Sequence, residues 1–211
     1  MNSRKALLIF TRNPIKGKVK TRLAKTIGEE TALKVYLFLL EHTATVTQNV
    51  EADKFVYYAG GQPTEDVWDP DVFVKKDQRG DDLGARMYNA FDEAFQKGYH
   101  KVIVIGSDLY DLDTEQLEKA FAALDTHEAV IGPAQDGGYY LIGLKKPCKA
   151  IFQNKQWGTS RVLKDTLQDL AHIKVALLET RNDVDVYEDI KGQEAFRPFL
   201  KPIIKHDTKT T

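Results

Sequence analysis

An α/β architecture with a mostly parallel central sheet is what this sequence predicts. Short runs of branched apolar residues alternate with longer segments whose apolar residues recur at helical spacing, the pattern of helices packed on parallel strands. The strongest run, residues 102–105 in KVIVIGSDLYDLD, has four consecutive branched apolar residues, as expected of a strand buried on both faces. It breaks at Gly106 and Ser107 and delivers Asp108 and Asp111. Those carboxylates therefore fall at the carboxyl edge of the sheet, where open α/β sheets bind their ligands. They are either turn residues or ligands to a divalent cation, and Asp113 or Thr114 is placed to cap the next helix.

The remaining elements follow in order. Residues 6–10 read as a buried first strand, and the loop behind it, TRNPIKGKVKTR, concentrates basic residues around Pro14 and Gly17. A glycine-containing basic loop after a strand suits a phosphate, because exposed backbone N–H groups and Lys/Arg side chains both seek anionic oxygens. It is not a Walker A loop, since Gly17-Lys18 is followed by Val19. Ala32, Val35, Tyr36, Leu39 and Leu40 mark one apolar helix face in the segment from Glu29 to Gln48. Strands are expected at 55–58 and 72–74. Leu83, Met87, Phe91, Ala94 and Phe95 mark a second helix, capped by Asp81 or Asp82, with Arg79 and Arg86 flanking its start. Past the opening strand, a helix over 114–124 and a strand at 129–131 lead into GPAQDGGYYLIGL, where Asp136-Gly137-Gly138 between two apolar runs is a turn signal. Thr159 or Ser160 is expected to cap a helix bearing Val162, Leu163, Leu167 and Leu170, and 175–178 read as the last strand. In NDVDVYEDI, Asp183 and Asp185 would point the same way in extended chain, and Asp185 is also placed to cap the helix behind it.

Composition narrows the function classes. The 211 residues fit a single domain, expected over 1–200 with a polar tail at 201–211. Thirty Lys and Arg against 31 Asp and Glu leave a net charge of -1, so no global field argues for nucleic acid or a membrane surface. The lone Cys148 cannot form an internal disulfide and no Cys–His zinc spacing exists. The first apolar run is only five residues, too short for a membrane span, and a cytoplasmic enzyme is the expectation.

Four segments taken together (TRNPIKGKVKTRL, GSDLYDL, GPAQDGGYYLIGL and NDVDVYEDI) resemble the DUF2064 family of bacterial GT-A-type nucleotide-diphospho-sugar transferases, over about residues 5 to 195. That family is associated with radical-SAM and arsenosugar pathways, and its fold is similar to that of the 2-phospholactate guanylyltransferases. The resemblance implies a single-domain GT-A three-layer sandwich. It implies Thr11, Arg12, Lys16, Gly17, Lys20, Arg22 and Ser107 around nucleotide and phosphates. It implies Asp108, Asp183 and Asp185 as ligands of Mg²⁺ or Mn²⁺, and Gly137, Gly138, Tyr139 and Trp157 on the sugar and acceptor side. This sequence departs from the family pattern at Tyr110, Gly158 and Val186, and the first two positions bear on acceptor specificity.

The activity implied is glycosyl transfer from a nucleotide-diphosphate sugar to a small-molecule acceptor, with Asp108 on the metal and Asp136 as base if the reaction inverts. The same metal and basic loop would also serve a nucleotidyltransferase that joins an NTP to a phosphorylated small molecule and releases pyrophosphate. A third reading is a non-catalytic nucleotide- or sugar-binding module, against which stand the four carboxylates Asp108, Asp136, Asp183 and Asp185.

Overall fold

A computed structural model describes residues 4–200, so the polar tail expected at 201–211 lies outside the described residues. Seven strands form one sheet: β1 (Lys5–Arg12), β2 (Asp53–Ala59), β3 (Phe73–Asp77), β4 (Lys101–Gly106), β5 (Ala129–Pro133), β6 (Tyr139–Leu144) and β7 (Val175–Leu177). Their order is β3-β2-β1-β4-β6-β5-β7. Every pairing is parallel except those of β6, which runs antiparallel to both β4 and β5. The Asp136–Gly138 turn thus closes a β5–β6 hairpin, as the sequence predicts.

Among the described residues there are six α-helices, α1 (Thr21–Ile27), α2 (Glu29–Gln48), α3 (Leu83–Gln96), α4 (Thr114–Thr126), α5 (Val162–Asp169) and α6 (Tyr187–Ile190). Successive side chains of a strand point to opposite faces, and the core divides accordingly. Leu7 and Ile9 of β1 and Ile103 and Ile105 of β4 pack under α2 and α4 against Tyr36, Leu40, Leu117 and Phe121. Ala6, Leu8, Val102 and Val104 pack on the other face under α3, against Met87, Ala90 and Phe91. This is a three-layer sandwich. Leu7, Leu8 and Ile9 have no exposed surface at all, and full burial of such a side chain contributes roughly 1.5–3 kcal/mol. A third cluster joins α1, α2 and α6 through Leu23, Val35, Leu39, Val184 and Ile190. No helix among the described residues is long and apolar enough to cross a membrane.

The helix starts match the sequence at two places and differ at two. Asp82 caps α3 by accepting from the Ala85 N–H at 2.7 Å, and Asp113 and Gln116 form a reciprocal capping box on α4. The α5 N-cap is Arg161 rather than Thr159 or Ser160, and the Thr159 hydroxyl donates to the Gln156 carbonyl instead. Asp185 does not cap α6. Asp189 reaches back from within the helix, its Oδ2 accepting from the N–H groups of Asp185 and Val186 at 2.8 and 2.7 Å. Helix α1 has no counterpart in the sequence reading. Its N-cap is Lys20, whose φ of 47° is left-handed backbone that a β-carbon disfavours.

Candidate active-site cleft

The carboxyl ends of β1, β2 and β4 open into a cleft of about 490 Å³. Its walls carry five cations, Arg12, Lys18, Lys20, Arg22 and Arg86, against two carboxylates, Asp108 and Asp185. The floor is built by hydrogen bonds between neighbouring strand ends. Ser107 Oγ donates to Thr11 Oγ1 at 3.1 Å, and Thr11 Oγ1 lies 3.0 Å from Tyr36 Oη. Tyr36 Oη also accepts from the Arg12 N–H at 3.0 Å, and Gln78 Nε2 bridges the carbonyls of Thr11 and Tyr57. Burial, reinforced by the Asp108 charge, raises the pKa of the Tyr36 hydroxyl, so it stays neutral. Tyr36 therefore ties α2 to the ends of β1 and β4. A tyrosine amid the aliphatic face of α2 was the signal, since a buried hydroxyl needs a partner.

Lys20 and Asp108 meet at the centre of this floor. The Lys20 side chain is 5 % exposed, and its Nζ lies 2.7 Å from Asp108 Oδ1 and 5.9 Å from the centre of the Tyr36 ring. A strained backbone and a nearly buried ammonium at one residue are each costly, and such features gather at functional sites. Beside it Arg22 Nη1 lies 2.5 Å from Asp185 Oδ2. Lys16 and Gly17 do not line the cleft: Lys16 turns outward to Glu30 at 3.2 Å. Gly17 instead shapes the turn, with φ 74°.

Phe10, Leu83 and Gly106 are shared with a second, smaller cavity of about 250 Å³. It holds Asp136, Gly138, Tyr139 and Trp157, together with Asp183. Asp136 is fixed by its own turn, Oδ1 accepting from the Gly138 N–H at 2.8 Å. Gly137 stands outside the cavity and acts through the backbone. Its φ is 88°, and a β-carbon there would fall 2.4 Å from the Ser160 carbonyl oxygen, so only glycine lets the turn seat against that loop. Trp157 packs on Gly84 of α3 with similar tightness, since a β-carbon at Gly84 would meet the indole at 2.8 Å. Tyr110 faces away from both cavities, stacked with Phe38 and edge-on to Phe196, so its departure from the family pattern is a matter of packing. Asp111 likewise serves structure, paired with Arg181 at 2.9 Å.

The late acidic pair divides. Asp185 lines the cationic cleft, and Asp183 lines the apolar cavity. Among the described residues no group of three or more His, Cys, Asp or Glu side chains is arranged to hold a metal ion, so Asp108, Asp183 and Asp185 are not gathered into one ligand cluster. Asp108 and Asp183 nevertheless belong together. The Val184 N–H donates to the Asp108 carbonyl at 3.0 Å, and the Asp183 pKa is raised to about 7 by burial first and then by the charge of Asp108, with Lys20 opposing. A buried carboxyl that resists ionising beside the Asp108 charge fits a cation such as Mg²⁺, which commonly takes one or two carboxylates and completes its shell with phosphate oxygens and water.

A larger cavity of about 570 Å³ lies between β3 and α3 and meets the cleft at Arg86. Its lysines are committed, Lys76 to Glu93 and Lys75 to Asp66, and Arg79 and Arg86 also line it.

The sheet order and cleft define an α/β fold of the nucleotide-diphospho-sugar transferase type. Residues 42–159 match the family described as "uncharacterized protein conserved in bacteria (DUF2064)", and the chain belongs to that family. A crystal structure from Desulfovibrio desulfuricans G20, provisionally described as a nucleotide-diphospho-sugar transferase, is 31 % identical with a TM-score of 0.84, over 98 % of this chain and 96 % of that one. A cytidylyltransferase from Leptospira borgpetersenii serovar Hardjo-bovis shares the fold at 12 % identity and TM-score 0.60, over 98 % and 96 % of the two chains. So does Rv0371c from Mycobacterium tuberculosis, in its complex with manganese, at 11 % identity and TM-score 0.51, over 95 % and 100 %. No curated protein sequence matches this chain.

Proposed function

We propose that this chain is a transferase that moves a glycosyl group from a nucleotide-diphosphate sugar to the hydroxyl of a small-molecule acceptor. The observation that carries the proposal is the Lys20–Asp108 pair on the cleft floor, with Arg12 and Arg22 close by. It combines cations for a diphosphate with a carboxylate for a metal at the sheet edge that binds ligands in open α/β folds. The likeness to a nucleotide-diphospho-sugar transferase at 31 % identity supports the same reading.

Arg12, Lys20 and Arg22 bind the diphosphate and stabilise the charge that grows on it as the bond to the sugar breaks. Asp108 and Asp183 would hold Mg²⁺ or Mn²⁺, which supplies further neutralisation of the leaving group. The manganese complex of Rv0371c is consistent with a divalent ion in this fold. Asp136, held rigid by its turn, is the base for the acceptor hydroxyl. Ser107 and Thr11 position the strand ends, and Gly138, Tyr139 and Trp157 form the acceptor wall.

The cytidylyltransferase likeness favours a second reading, nucleotidyl transfer to a phosphorylated acceptor, because the same cations and carboxylates serve both reactions. The test is a thermal-shift panel of nucleotides and nucleotide sugars with Mg²⁺ and Mn²⁺, followed by incubation with an NTP and phosphorylated acceptors. A metal-dependent rise in Tm with a nucleotide sugar is expected. Robust pyrophosphate release from the NTP would overturn glycosyl transfer in favour of the second reading.

A further inference from the structure

The two halves of the cleft differ sharply in charge, and that difference constrains the second substrate. All five cations stand on the nucleotide side. The cavity beyond Phe10, Leu83 and Gly106 has no Lys, Arg or His among its lining residues, and its only charged groups are Asp136 and Asp183. Its walls are Phe10, Met87, Ile142, Tyr139, Trp157 and Val162. The aromatic wall is rigid: Trp157 is wedged on Gly84, and Tyr139 meets it edge-on with ring centres 6.5 Å apart. Burial raises the Tyr139 pKa, with Thr166 partly opposing, so the wall stays uncharged. Leu83 is 42 % exposed at the junction of the two cavities, an apolar side chain left facing the path between them.

We infer that the acceptor presents an uncharged apolar body, an aryl or branched alkyl alcohol, and is not a phosphate ester. This rests on the glycosyl-transfer reading above and names the chemical class its acceptor belongs to. A phosphate ester carries close to two negative charges, and here they would lie among aromatic and aliphatic side chains beside Asp136, with no Lys, Arg or His to pair with and with any cation on Asp183 already engaged by the diphosphate. An alcohol has no such penalty and gains from desolvating its ring or branched chain. The size agrees. A cavity of about 150 Å³ already holds a benzene ring, so about 250 Å³ admits one ring with a short hydroxyl-bearing arm. In the transfer, the acceptor oxygen forms a bond to the anomeric carbon, and the bond from that carbon to the diphosphate oxygen breaks. The electron pair leaves with the nucleoside diphosphate, and the hydroxyl proton passes to the Asp136 carboxylate and then to water.

A matched pair of probes, 2-phenylethanol and phenethyl phosphate, tests this by ligand-detected NMR saturation transfer on the full chain with divalent cations removed by EDTA, so that only the cavity's own residues are read. The alcohol is expected to bind at least about tenfold more tightly than its phosphate ester, a difference of about 1.4 kcal/mol. Leu83→Arg, at an exposed position that leaves folding intact, is expected to narrow that ratio by placing a cation at the mouth. Equal or tighter binding of the phosphate ester overturns the inference, and so does failure of both probes to bind. The outcome is separable from the fate of glycosyl transfer itself. A nucleotide sugar that raises Tm with metal while 2-phenylethanol fails to bind sinks the acceptor class alone, whereas pyrophosphate release from an NTP sinks the reading beneath it.

Discussion

Replacing Asp183 by Asn should stabilise the protein at neutral pH while damaging its site. The Asp183 pKa is raised from 3.8 to about 7, by burial first and then by Asp108, Asp136 and Asp185 against the opposing charge of Lys20. A raised carboxyl pKa means that the folded state holds this proton more tightly than the unfolded chain does. Stability is therefore greatest below the unfolded pKa of 3.8 and declines as pH rises through the window up to about 7, beyond which the penalty is constant. Three pKa units at about 1.4 kcal/mol each give a penalty of roughly 4 kcal/mol at pH 8, and only about 1 kcal/mol at pH 4.5. Asn mimics the protonated acid, so Asp183→Asn should gain most of that amount at pH 8 and little at pH 4.5. Urea unfolding followed by tryptophan fluorescence at the two pH values reads it directly. A variant no more stable than the parent at pH 8, or one whose gain is equal at both pH values, refutes the electrostatic account. The same variant should lose the Mg²⁺-linked part of its nucleotide affinity, and in the parent that part should grow as pH rises through 7, because a cation needs the ionised carboxylate.

Three further outcomes follow from the geometry. Lys20→Ala and Lys20→Gly should both weaken nucleotide-sugar binding by at least about tenfold in calorimetry, since each leaves the diphosphate without its central cation. Lys20→Gly should nevertheless be more stable than Lys20→Ala by about 1 kcal/mol, because glycine adopts the φ of 47° without strain. Tyr36→Phe should cost about 1–3 kcal/mol in chemical denaturation by leaving the buried Thr11 hydroxyl and the Arg12 N–H short of a partner, and should weaken nucleotide binding as the strand ends loosen. Glu93 is held near pKa 2: burial raises it, but hydrogen bonds from Lys76 and Lys97 outweigh that. Its depressed pKa contributes stability above the unfolded value of 4.5 that disappears as pH falls toward 2. The side chain is 40 % exposed, so after screening Glu93→Gln should remove at most about 1 kcal/mol at pH 7 and nothing at pH 2.

The sheet and the placing of its acidic turns were legible because both rest on local signals. Residues 102–105 could be buried on both faces only in a central strand, and a strand that ends in Gly106-Ser107-Asp108 must deliver its carboxylate at the sheet edge. The Asp136 turn was legible for the same reason. Helix α1 was not, because TRLAKTI is a seven-residue helix whose stability comes from packing Leu23 and Ile27 against α2, a tertiary fact. The basic loop was read as a unit, yet the left-handed turn at Gly17 sends Lys16 outward to Glu30 while Lys20 turns in. Asp183 and Asp185 alternate along the chain as expected, but Arg22 on α1 claims Asp185, and a partner 163 residues away leaves no trace in local spacing. Tyr36 was seen as part of an apolar face, whereas its hydroxyl couples α2 to the end of β1 and, through Thr11, to Ser107 at the end of β4.

The two ion pairs on the cleft floor have a thermodynamic consequence. In Lys20–Asp108 and Arg22–Asp185 each charge already has its counter-ion, so these two pairs are self-neutral within a cleft that Arg12, Lys18 and Arg86 leave net positive. A diphosphate arriving alone would take the ammonium and guanidinium and strand two carboxylates, and a divalent cation arriving alone would strand the two bases. When both arrive together the pairs exchange partners, anion with base and cation with carboxylate, and nothing charged is left without a mate. Each ligand therefore raises the affinity for the other by the same factor. On the proposed function these two pairs would favour diphosphate and metal arriving together over either alone, through their own internal pairing, before any contact with base or sugar is made.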